Sequence, residues 1–275
     1  SEPEIKTPQE AAEYAKAMRQ ILRYLDVCDG NLEEGSLRCD CNVSVKKIGE
    51  SKLGTKVEIK NINSFRFVEK AIEYEIDRQI DAIMRGEKII QETRLWDPDK
   101  NRTFSMRTKE NAQDYRYFPD PDLLPLVVSQ TMINNLRSTL PELPLDRAER
   151  FEKQLGLPFY DASVLTAERE LADYFEKVAQ LSGNPKASSN WIMTDLMREL
   201  NTNQKNIQNC PVSAENLAMM LKEIDKGTIS GKIGKTVFQE MWNTGRDPNS
   251  IIQEKGLVQI TDTSAIEKII DQILS

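Results

Sequence analysis

The sequence predicts an α+β protein: an antiparallel sheet with flanking helices, followed by an all-α helical bundle. Strand-like alternation of apolar and polar residues is confined to the first part of the chain. After residue 161 the apolar residues recur only at helical spacing, with short connections. Proline and glycine breaks separate the two patterns. We therefore predict an α+β domain at 1–140, a linker region at 141–161 and a helical domain at 162–275.

The composition excludes several kinds of chemistry. The chain has 275 residues, a formal net charge of -7 and no histidine. Ser-His-Asp catalysis, Cys-His catalysis and histidine-ligated metal sites therefore cannot be built from this chain. Any catalysis must use carboxylates, lysine, arginine, amides or an oxygen-ligated ion such as magnesium. No apolar run is long enough to span a membrane and no signal-peptide pattern occurs, so we expect a cytoplasmic protein with no membrane partner.

Two amphipathic helices are predicted to flank the sheet. Apolar residues recur at helical spacing over Glu10–Leu25, and Thr7 is suited to begin a capping box before them. The same spacing over Phe65–Met84 follows Ser64, a good N-cap. Each helix has one apolar stripe, which favours packing against the sheet.

The clearest strand pattern lies between residues 35 and 64. Over Leu37–Val45 every second residue is apolar, which is typical of a strand with one buried face. In the next run Val57 and Ile59 point to the side opposite Glu58. If the two strands form a hairpin, polar groups of both charge signs share one surface, at spacings of roughly 7 Å along each strand. A phosphate and a metal ion can both be held on that scale. The polar residues of this surface are Arg38, Asp40, Asn42, Lys56, Glu58 and Lys60.

The four cysteines are Cys28, Cys39, Cys41 and Cys210. Their spacing does not match the paired pattern of a zinc site. Cys39 and Cys41 fall on the apolar face of the first predicted strand. We interpret them as reduced, buried thiols.

Two further features precede the helical part. A turn at Asp97–Asn101 predicts a second hairpin, with Arg107 on its second arm. The segment 114–122 is rich in aromatic residues, proline and aspartate, and it resembles neither helix nor strand. It is a candidate site loop carrying Arg116. The alternative is a packed aromatic loop in which Arg116 pairs with a neighbouring aspartate.

The helical part carries a series of lysines. We predict helices at about 162–181, 185–201, 214–226, 231–243, 248–255 and from 264 onward. Lysines on two of them are candidates for contacting a nucleic-acid backbone. The residue types alone favour the alternative, a solvated helix face. The lysines are Lys222, Lys226, Lys232 and Lys235.

Several compound motifs resemble one family, the kinase/transamidase subunit (the B subunit) of the aspartyl/glutamyl-tRNA amidotransferases. The motifs that carry the resemblance are Glu34–Asp40, Lys60–Phe65, Gln91–Arg94, Asp114–Pro119, Ser189–Trp191 and Gly256–Ile260. They cover essentially the whole chain in order, which makes the resemblance specific.

The resemblance implies one member of a three-component ligase, with a glutaminase (amidase) subunit and a small third subunit as partners. In that family the kinase/transamidase subunit uses ATP and magnesium to phosphorylate the side-chain carboxylate of a misacylated tRNA, Glu-tRNA(Gln) or Asp-tRNA(Asn). Ammonia from the glutaminase then displaces the phosphate. The family's acidic, magnesium-binding catalytic residue matches Glu58. The neighbouring positions expected to line the ATP and substrate pocket are Arg38, Asp40, Asn42, Lys60, Asn61 and Asn63, with Arg107 and Arg116 as further candidate contacts.

The resemblance also implies that part of the family's site lies outside this sequence. In the family, the site draws on an N-terminal segment with a Glu-x-His motif and a Glu-Glu-Asp motif, and neither occurs in the 275 residues. We therefore expect this piece alone to be inactive. The alternative function is a tRNA-binding or scaffold module without catalysis of its own.

Overall fold

A four-stranded sheet forms the centre of the first part of the molecule. The computed structural model describes residues 3–108 and 122–258, with the side chains of 107 and 108 excepted. The chain divides into two units, Ser1–Pro141 and Glu142–Ser275. The predicted loop around Arg116 and the predicted last helix lie outside the described residues. The α+β class predicted from the sequence is confirmed.

The first unit contains three helices and four strands in its described part. In chain order they are α1 (Pro8–Tyr24), β1 (Cys39–Val43), β2 (Val57–Ile62), α2 (Phe65–Met84), β3 (Glu92–Asp97), β4 (Arg102–Thr108) and α3 (Gln130–Thr139).

The sheet is mixed, which differs in one pair from the predicted antiparallel sheet. The strand order is β1-β2-β3-β4. The outer pairs are antiparallel, as the two predicted hairpins require. The central pair, β2 with β3, is parallel. The reason is the connection: α2 carries the chain back along the sheet, so β3 starts at the same end as β2 and runs in the same direction.

The two flanking helices begin at the predicted caps. The Thr7 hydroxyl accepts a hydrogen bond from the Glu10 amide, and the Glu10 carboxylate accepts one from the Thr7 amide, which completes the capping box. The Ser64 hydroxyl accepts a hydrogen bond from the amide of Phe67 at the start of α2. The predictions of both N-termini are confirmed.

One face of the sheet packs against α2, which in turn packs against α1. The apolar cluster between them is small. Its buried members are Ala12, Val43, Ile59, Ile62, Val68, Ala71, Ile72 and Trp96. Both Cys39 and Cys41 pack against this cluster and are half-buried, which agrees with their predicted facing. The opposite face of the sheet carries Asp40, Glu58 and Lys60.

The second unit consists of helices in its described part. They are α4 (Pro144–Leu155), α5 (Phe159–Leu165), α6 (Arg169–Ser182), α7 (Pro185–Trp191), α8 (Met197–Thr202), α9 (Ala214–Asp225), α10 (Gly231–Thr244) and α11 (Pro248–Glu254). A π-helical turn, Ile192–Leu196, joins α7 to α8, and a short 3-10 turn, Ile207–Asn209, precedes α9. Throughout the described ranges, no helix has the length and apolar character needed to cross a membrane.

One predicted helix of this unit is divided in two. The sequence predicts a continuous helix over 162–181, whereas α5 ends at Leu165 and α6 begins at Arg169. The buried Thr166 hydroxyl donates to the Ala162 carbonyl, and Glu168 has an extended backbone. A threonine that satisfies a carbonyl of its own last turn favours a helix end, which periodicity alone does not reveal.

Candidate functional site

Glu58 lies on β2 in the polar face of the sheet, and its side chain is only 18% exposed. The hydroxyl of Thr93, on β3, donates a hydrogen bond of 2.8 Å to Glu58 Oε2. The ammonium of Lys60 lies 3.4 Å from Glu58 Oε1. The carboxylate is therefore held between a neutral donor from one side and a cation from the other. This arrangement restricts the orientation of the carboxylate.

Lys60 also joins Glu58 to the edge strand. Its Nζ atom lies 2.6 Å from Asp40 Oδ2, and this hydrogen bond raises the pKa of Lys60 above its ordinary value. The Asp40 side chain is 47% exposed and that of Lys60 is 36% exposed. The charges thus alternate along the face as negative, positive, negative, and the middle one stays positive well above neutral pH.

The register of β1 and β2 explains why these side chains meet. Asn42 pairs with Glu58 in the antiparallel ladder, so both side chains lie on the same face. The register of the two strands is irregular between Cys39 and Cys41, because β2 has one residue more than β1 there. The extra residue coincides with Asn61, whose φ of 67° lies in the left-handed region that asparagine tolerates.

Asn61 links β2 to β3 at this irregularity. Its side-chain amide donates a hydrogen bond of 3.0 Å to the main-chain carbonyl of Trp96 on β3. The bulge also changes the phase of β2, because Ile59 and Ile62, three residues apart, are both buried. The structure thus places Asn61 in a backbone-supporting contact next to the polar face. The sequence predicts it only as a pocket residue.

The remaining predicted pocket residues are less constrained. Arg38, Asn42 and Asn63 are exposed. Asn63 directly precedes the Ser64 cap of α2, and Arg38 directly precedes β1. The Arg107 backbone pairs with Thr93 across β3 and β4, but the side chain of Arg107 and all of Arg116 lie outside the described residues.

The oxygen atoms of this face are of the kind that magnesium prefers. Glu58 and Asp40 supply carboxylates, and Asn42 supplies an amide oxygen beside Glu58 in the register. In proteins Mg²⁺ is commonly bound by one or two carboxylates together with substrate phosphates and water. Within 3–108 and 122–258, no group of three or more His, Cys, Asp or Glu side chains is arranged to hold a metal ion. This face therefore fits part of a magnesium site.

A buried charged network supports the polar face from the other side of the sheet. Glu75 of α2 is fully buried, and Arg78 Nη2 lies 2.6 Å from its Oε1. Arg94 of β3 lies 3.6 Å from Glu75 Oε2 and donates to Glu92 at 2.6 Å. Arg94 also donates to the Thr103 hydroxyl on β4 at 2.7 Å. These contacts link α2 to β3 and β4 through Arg94, the residue that follows Thr93.

The same network extends to the edge strand through Gln79 of α2. Its amide nitrogen donates to the Val43 carbonyl, and its amide oxygen accepts from the Val45 amide, both at 3.1 Å. Gln79 also donates to Glu75 at 2.9 Å. The Gln79 side chain thus forms hydrogen bonds with main-chain groups at the end of β1.

Sequence reasoning missed Thr93 and Arg94 as site-supporting residues. Both belong to the Gln91–Arg94 motif, which was the only signal available. Thr93 is buried beside Glu58 because the parallel register pairs these two residues. Thirty-five positions separate them along the chain, so no local pattern could indicate the contact.

The four candidate lysines of the second unit flank one short turn. Lys222 and Lys226 lie at the end of α9 or just after it, and Lys232 and Lys235 lie in the first turns of α10. All four are exposed. Lys226 forms an ion pair of 2.7 Å with Glu223. The turn thus combines exposed cations with the N-terminus of α10, which favours negative charge.

Comparisons with known proteins identify the family of the chain. A family model described as the GatB/GatE catalytic domain matches residues 1–134, and one described as the GatB domain matches residues 173–275. The chain is 67% identical over its full 275 residues to the aspartyl/glutamyl-tRNA(Asn/Gln) amidotransferase B subunit of Bdellovibrio bacteriovorus, of which it covers 58%. It is 56% identical over its full length to the corresponding protein of Geotalea daltonii and 54% identical to that of Geobacter sulfurreducens, covering 57% of each.

Both family models describe GatB domains, so the class is that of the amidotransferase B subunits. The chain belongs to the family of aspartyl/glutamyl-tRNA(Asn/Gln) amidotransferase B subunits. The resemblance inferred from the sequence motifs is confirmed. The chain spans somewhat less than three fifths of the length of these relatives.

Proposed function

We propose that this chain forms one wall of the kinase site of an ATP-dependent amidotransferase. The enzyme phosphorylates the side-chain carboxylate of Glu-tRNA(Gln), Asp-tRNA(Asn) or both, and amidates it with ammonia from a glutaminase subunit. The observation that carries the proposal is the Glu58 carboxylate, held between the Thr93 hydroxyl and the Lys60 ammonium. It lies on a face where Asp40 and Lys60 remain accessible.

Phosphoryl transfer depends on positioning and on charge neutralisation more than on covalent chemistry by the protein. When bound, magnesium ATP would supply the phosphoryl group and the ion that neutralises its charge. Glu58 presents an oriented carboxylate, as an oxygen ligand must. Lys60 presents a cation whose charge is maintained by Asp40. Such a set of residues suits this chemistry without a histidine.

The partners follow from the same proposal. The relatives are named as the B component of an amidotransferase, which supports a complex of several different chains. We assign the release of ammonia to a separate glutaminase subunit, and a stabilising role to a small third subunit. Misacylated tRNA is the substrate that brings the reacting carboxylate to the polar face.

The decisive experiment replaces Glu58 in the intact complex. Glu58→Gln keeps the size of the side chain but removes its charge, so it should abolish ATP-dependent amidation while leaving glutaminase activity unchanged. Glu73→Gln is the matched control, because Glu73 is an exposed glutamate of α2. Amidation and glutamine hydrolysis are measured on the same preparations. Normal amidation by Glu58→Gln would refute the assignment.

A second candidate function is tRNA binding by the helical unit, with or without catalysis elsewhere. It is favoured by the four exposed lysines around the turn between α9 and α10. Because phosphate contacts release counterions, binding through these lysines would weaken steeply as salt rises.

Replacing the four lysines with glutamine tests this candidate. The quadruple variant should bind tRNA at least tenfold more weakly at low salt, and the salt dependence of its binding should be shallower. The control replaces two lysines elsewhere in the same unit, Lys153→Gln with Lys255→Gln, which pair with Glu149 and Glu240. Affinity for tRNA is measured by a salt titration. Equal affinities of wild type and the quadruple variant would contradict tRNA binding by these lysines and identify them as a solvated helix face.

A further inference from the structure

The loop between β1 and β2 concentrates positive charge in a chain that is acidic overall. Residues 44–56 contain four lysines and one glutamate, whereas the whole chain has a formal net charge of -7. A local patch of this kind can bind a polyanion even when the protein as a whole is acidic. We call this segment the lysine loop. Its lysines, all of them exposed, are Lys46, Lys47, Lys52 and Lys56.

The four ammonium groups of the loop lack the partners that other lysines of the same unit have. Lys16, Lys60 and Lys100 lie 2.6, 2.6 and 3.7 Å from a carboxylate oxygen. In the part of the chain that the structure describes, no lysine of the loop forms an ion pair or a side-chain hydrogen bond. Lys6 and Lys88 are also unpaired there, but each stands alone in its part of the sequence. Neighbouring cations without carboxylate partners repel one another, and an anionic ligand would relieve that repulsion.

The root of the loop is fixed, so its cations project from a defined place. The Val45 amide donates a hydrogen bond of 3.1 Å to the buried Gln79 of α2. At the other end of the loop, Gly54 lies against Val45. A Cβ atom on Gly54 would come within 2.1 Å of the Val45 carbonyl oxygen, which excludes a larger residue. Beyond this neck the Glu50 amide donates to the Lys47 carbonyl at 3.1 Å, which forms a turn.

The lysine loop leaves the sheet at the end where Glu58 lies. Lys56 is two residues before Glu58, a span of at most about 7 Å of chain. Lys52 is six residues before Glu58, a span of at most about 22 Å. The other two lysines follow β1, whose Asn42 pairs with Glu58. The cations thus begin beside the polar face and continue away from it.

A series of cations of this length fits a polyanion whose phosphates repeat along a strand. A triphosphate is compact by comparison, and its metal ions neutralise much of its charge. The substrate tRNA is a polyanion of the required kind, and the reacting carboxylate is attached to its 3′ end. We propose that the lysine loop contacts the phosphates of the 3′-terminal nucleotides of the substrate tRNA. This placement rests on the proposed function, because it takes Glu58 as part of the site that the carboxylate must reach.

The contact predicts a particular kinetic signature. The phosphates behind the reacting carboxylate are bound equally before and during phosphoryl transfer, so the loop contributes to binding and not to the chemical step. Loss of the contact should therefore raise the KM for tRNA and leave kcat unchanged. A residue that acts on the reacting groups would lower kcat instead.

The test removes three of the four charges in the intact complex, by Lys46→Gln, Lys47→Gln and Lys52→Gln together. Lys56 is retained because it adjoins the polar face. Binding of deacylated tRNA(Gln) is measured by a salt titration without ATP. The triple variant should bind about tenfold more weakly at low salt. The slope of log K against log salt should be shallower by about 2, since each contact with a single-stranded phosphate contributes about 0.7.

Two controls show whether the loop meets the 3′ end. The protein control replaces three exposed lysines of the same unit that lie outside the loop, Lys6→Gln, Lys16→Gln and Lys88→Gln. It changes the net charge by the same amount and should bind tRNA as wild type does. The RNA control is tRNA(Gln) without its unpaired 3′ nucleotides. Wild type should bind this shortened RNA about tenfold more weakly than the full-length form, whereas the triple variant should bind both forms equally.

Equal tRNA affinities of wild type and the triple variant would overturn the proposal, as would equal losses for both on shortening the RNA. A raised KM for ATP alone would assign the loop to the triphosphate, and dissociation of the complex in gel filtration would assign it to a partner subunit. Either result would also overturn the contact with RNA. Failure of the proposed function is seen separately, as unchanged amidation by Glu58→Gln, because tRNA binding is measured without ATP.

Discussion

The two units of this protein bury apolar clusters of very different size. Among the described residues, the apolar cluster of the α+β unit has eight buried members, and that of the helical unit has twenty-six. Next to its small cluster the α+β unit buries Glu75, Gln79, Thr93 and Thr103. The helical unit buries polar groups as well, among them Arg147, Ser188 and Asp195, but beside its much larger apolar cluster, in which Phe175 contacts another buried phenylalanine at a centroid distance of 4.9 Å.

The buried ion pairs of the two units also differ. In the helical unit the buried Arg147 pairs with Asp173 and Glu176, whose side chains are 58% and 34% exposed, so that network reaches water. In the α+β unit Glu75 is fully buried, and its partners Arg78 and Arg94 are 26% and 13% exposed. A fully buried carboxylate depends on its partners being in place. The small apolar cluster of the α+β unit is thus supplemented by a network around a buried carboxylate, whereas the helical unit has a much larger apolar cluster.

The largest expected effect comes from removing the buried carboxylate. Glu75→Ala leaves Arg78 and Arg94 without their shared acceptor, so we expect a loss of about 3–5 kcal/mol in the free energy of unfolding. Phe175→Ala in the helical unit should cost a similar amount, about 3–5 kcal/mol, through a cavity instead. Urea denaturation measures both. Glu75→Gln, which keeps an acceptor, should be less destabilising than Glu75→Ala. Equal losses for these two variants would contradict the importance of the pairing.

A smaller effect is expected where the network meets the polar face. Thr93→Val removes the hydroxyl donor to Glu58, so we expect a loss of about 1.5–3 kcal/mol in the free energy of unfolding, the range for hydrogen bonds to charged groups. If Glu58 acts as proposed, the rate of amidation by the complex should also fall roughly tenfold. This factor corresponds to an increase of about 1.4 kcal/mol in the activation free energy. Thr93→Ser restores the donor and should recover most of the activity. Full activity of Thr93→Val, measured against unchanged glutaminase activity, would remove Thr93 from its positioning role.

The smallest effect concerns the pH dependence of stability. Burial raises the pKa of Glu92, but hydrogen bonds from Ser105 and Arg94 outweigh it and lower the pKa below the ordinary value of 4.5. The stabilisation is therefore present above pH 4.5 and is lost as the pH falls through the lowered pKa. Glu92→Gln should cost about 1 kcal/mol near neutral pH, and the difference from wild type should vanish in acid.

Thermal unfolding followed from neutral pH into acid checks this expectation. The exposed Glu73→Gln variant provides the baseline for a glutamate without these partners. A difference between Glu92→Gln and wild type that stays constant below pH 4.5 would show that the loss arises from packing, not from ionisation.

The polar face itself could be predicted from local pattern. Asp40, Glu58 and Lys60 alternate with apolar residues, and alternation alone puts them on one side of their strands. Their contacts bear out that facing. The capping box at Thr7 was equally predictable, because all of its atoms lie within four residues. Asn61 was not, since its role depends on a bulge and on the Trp96 carbonyl of another strand.

By itself the sequence determined the α+β class, the helix caps, the facing of the β1 and β2 residues and the family, because each depends on local spacing or on residue identity. Only the tertiary structure decided that β2 and β3 run parallel, which brings Thr93 to Glu58. It also decided the burial of Glu75 beneath the sheet. The physical reason is that strand register and helix packing join residues far apart in the chain. The interaction energies of such residues arise only when the chain has brought them into contact.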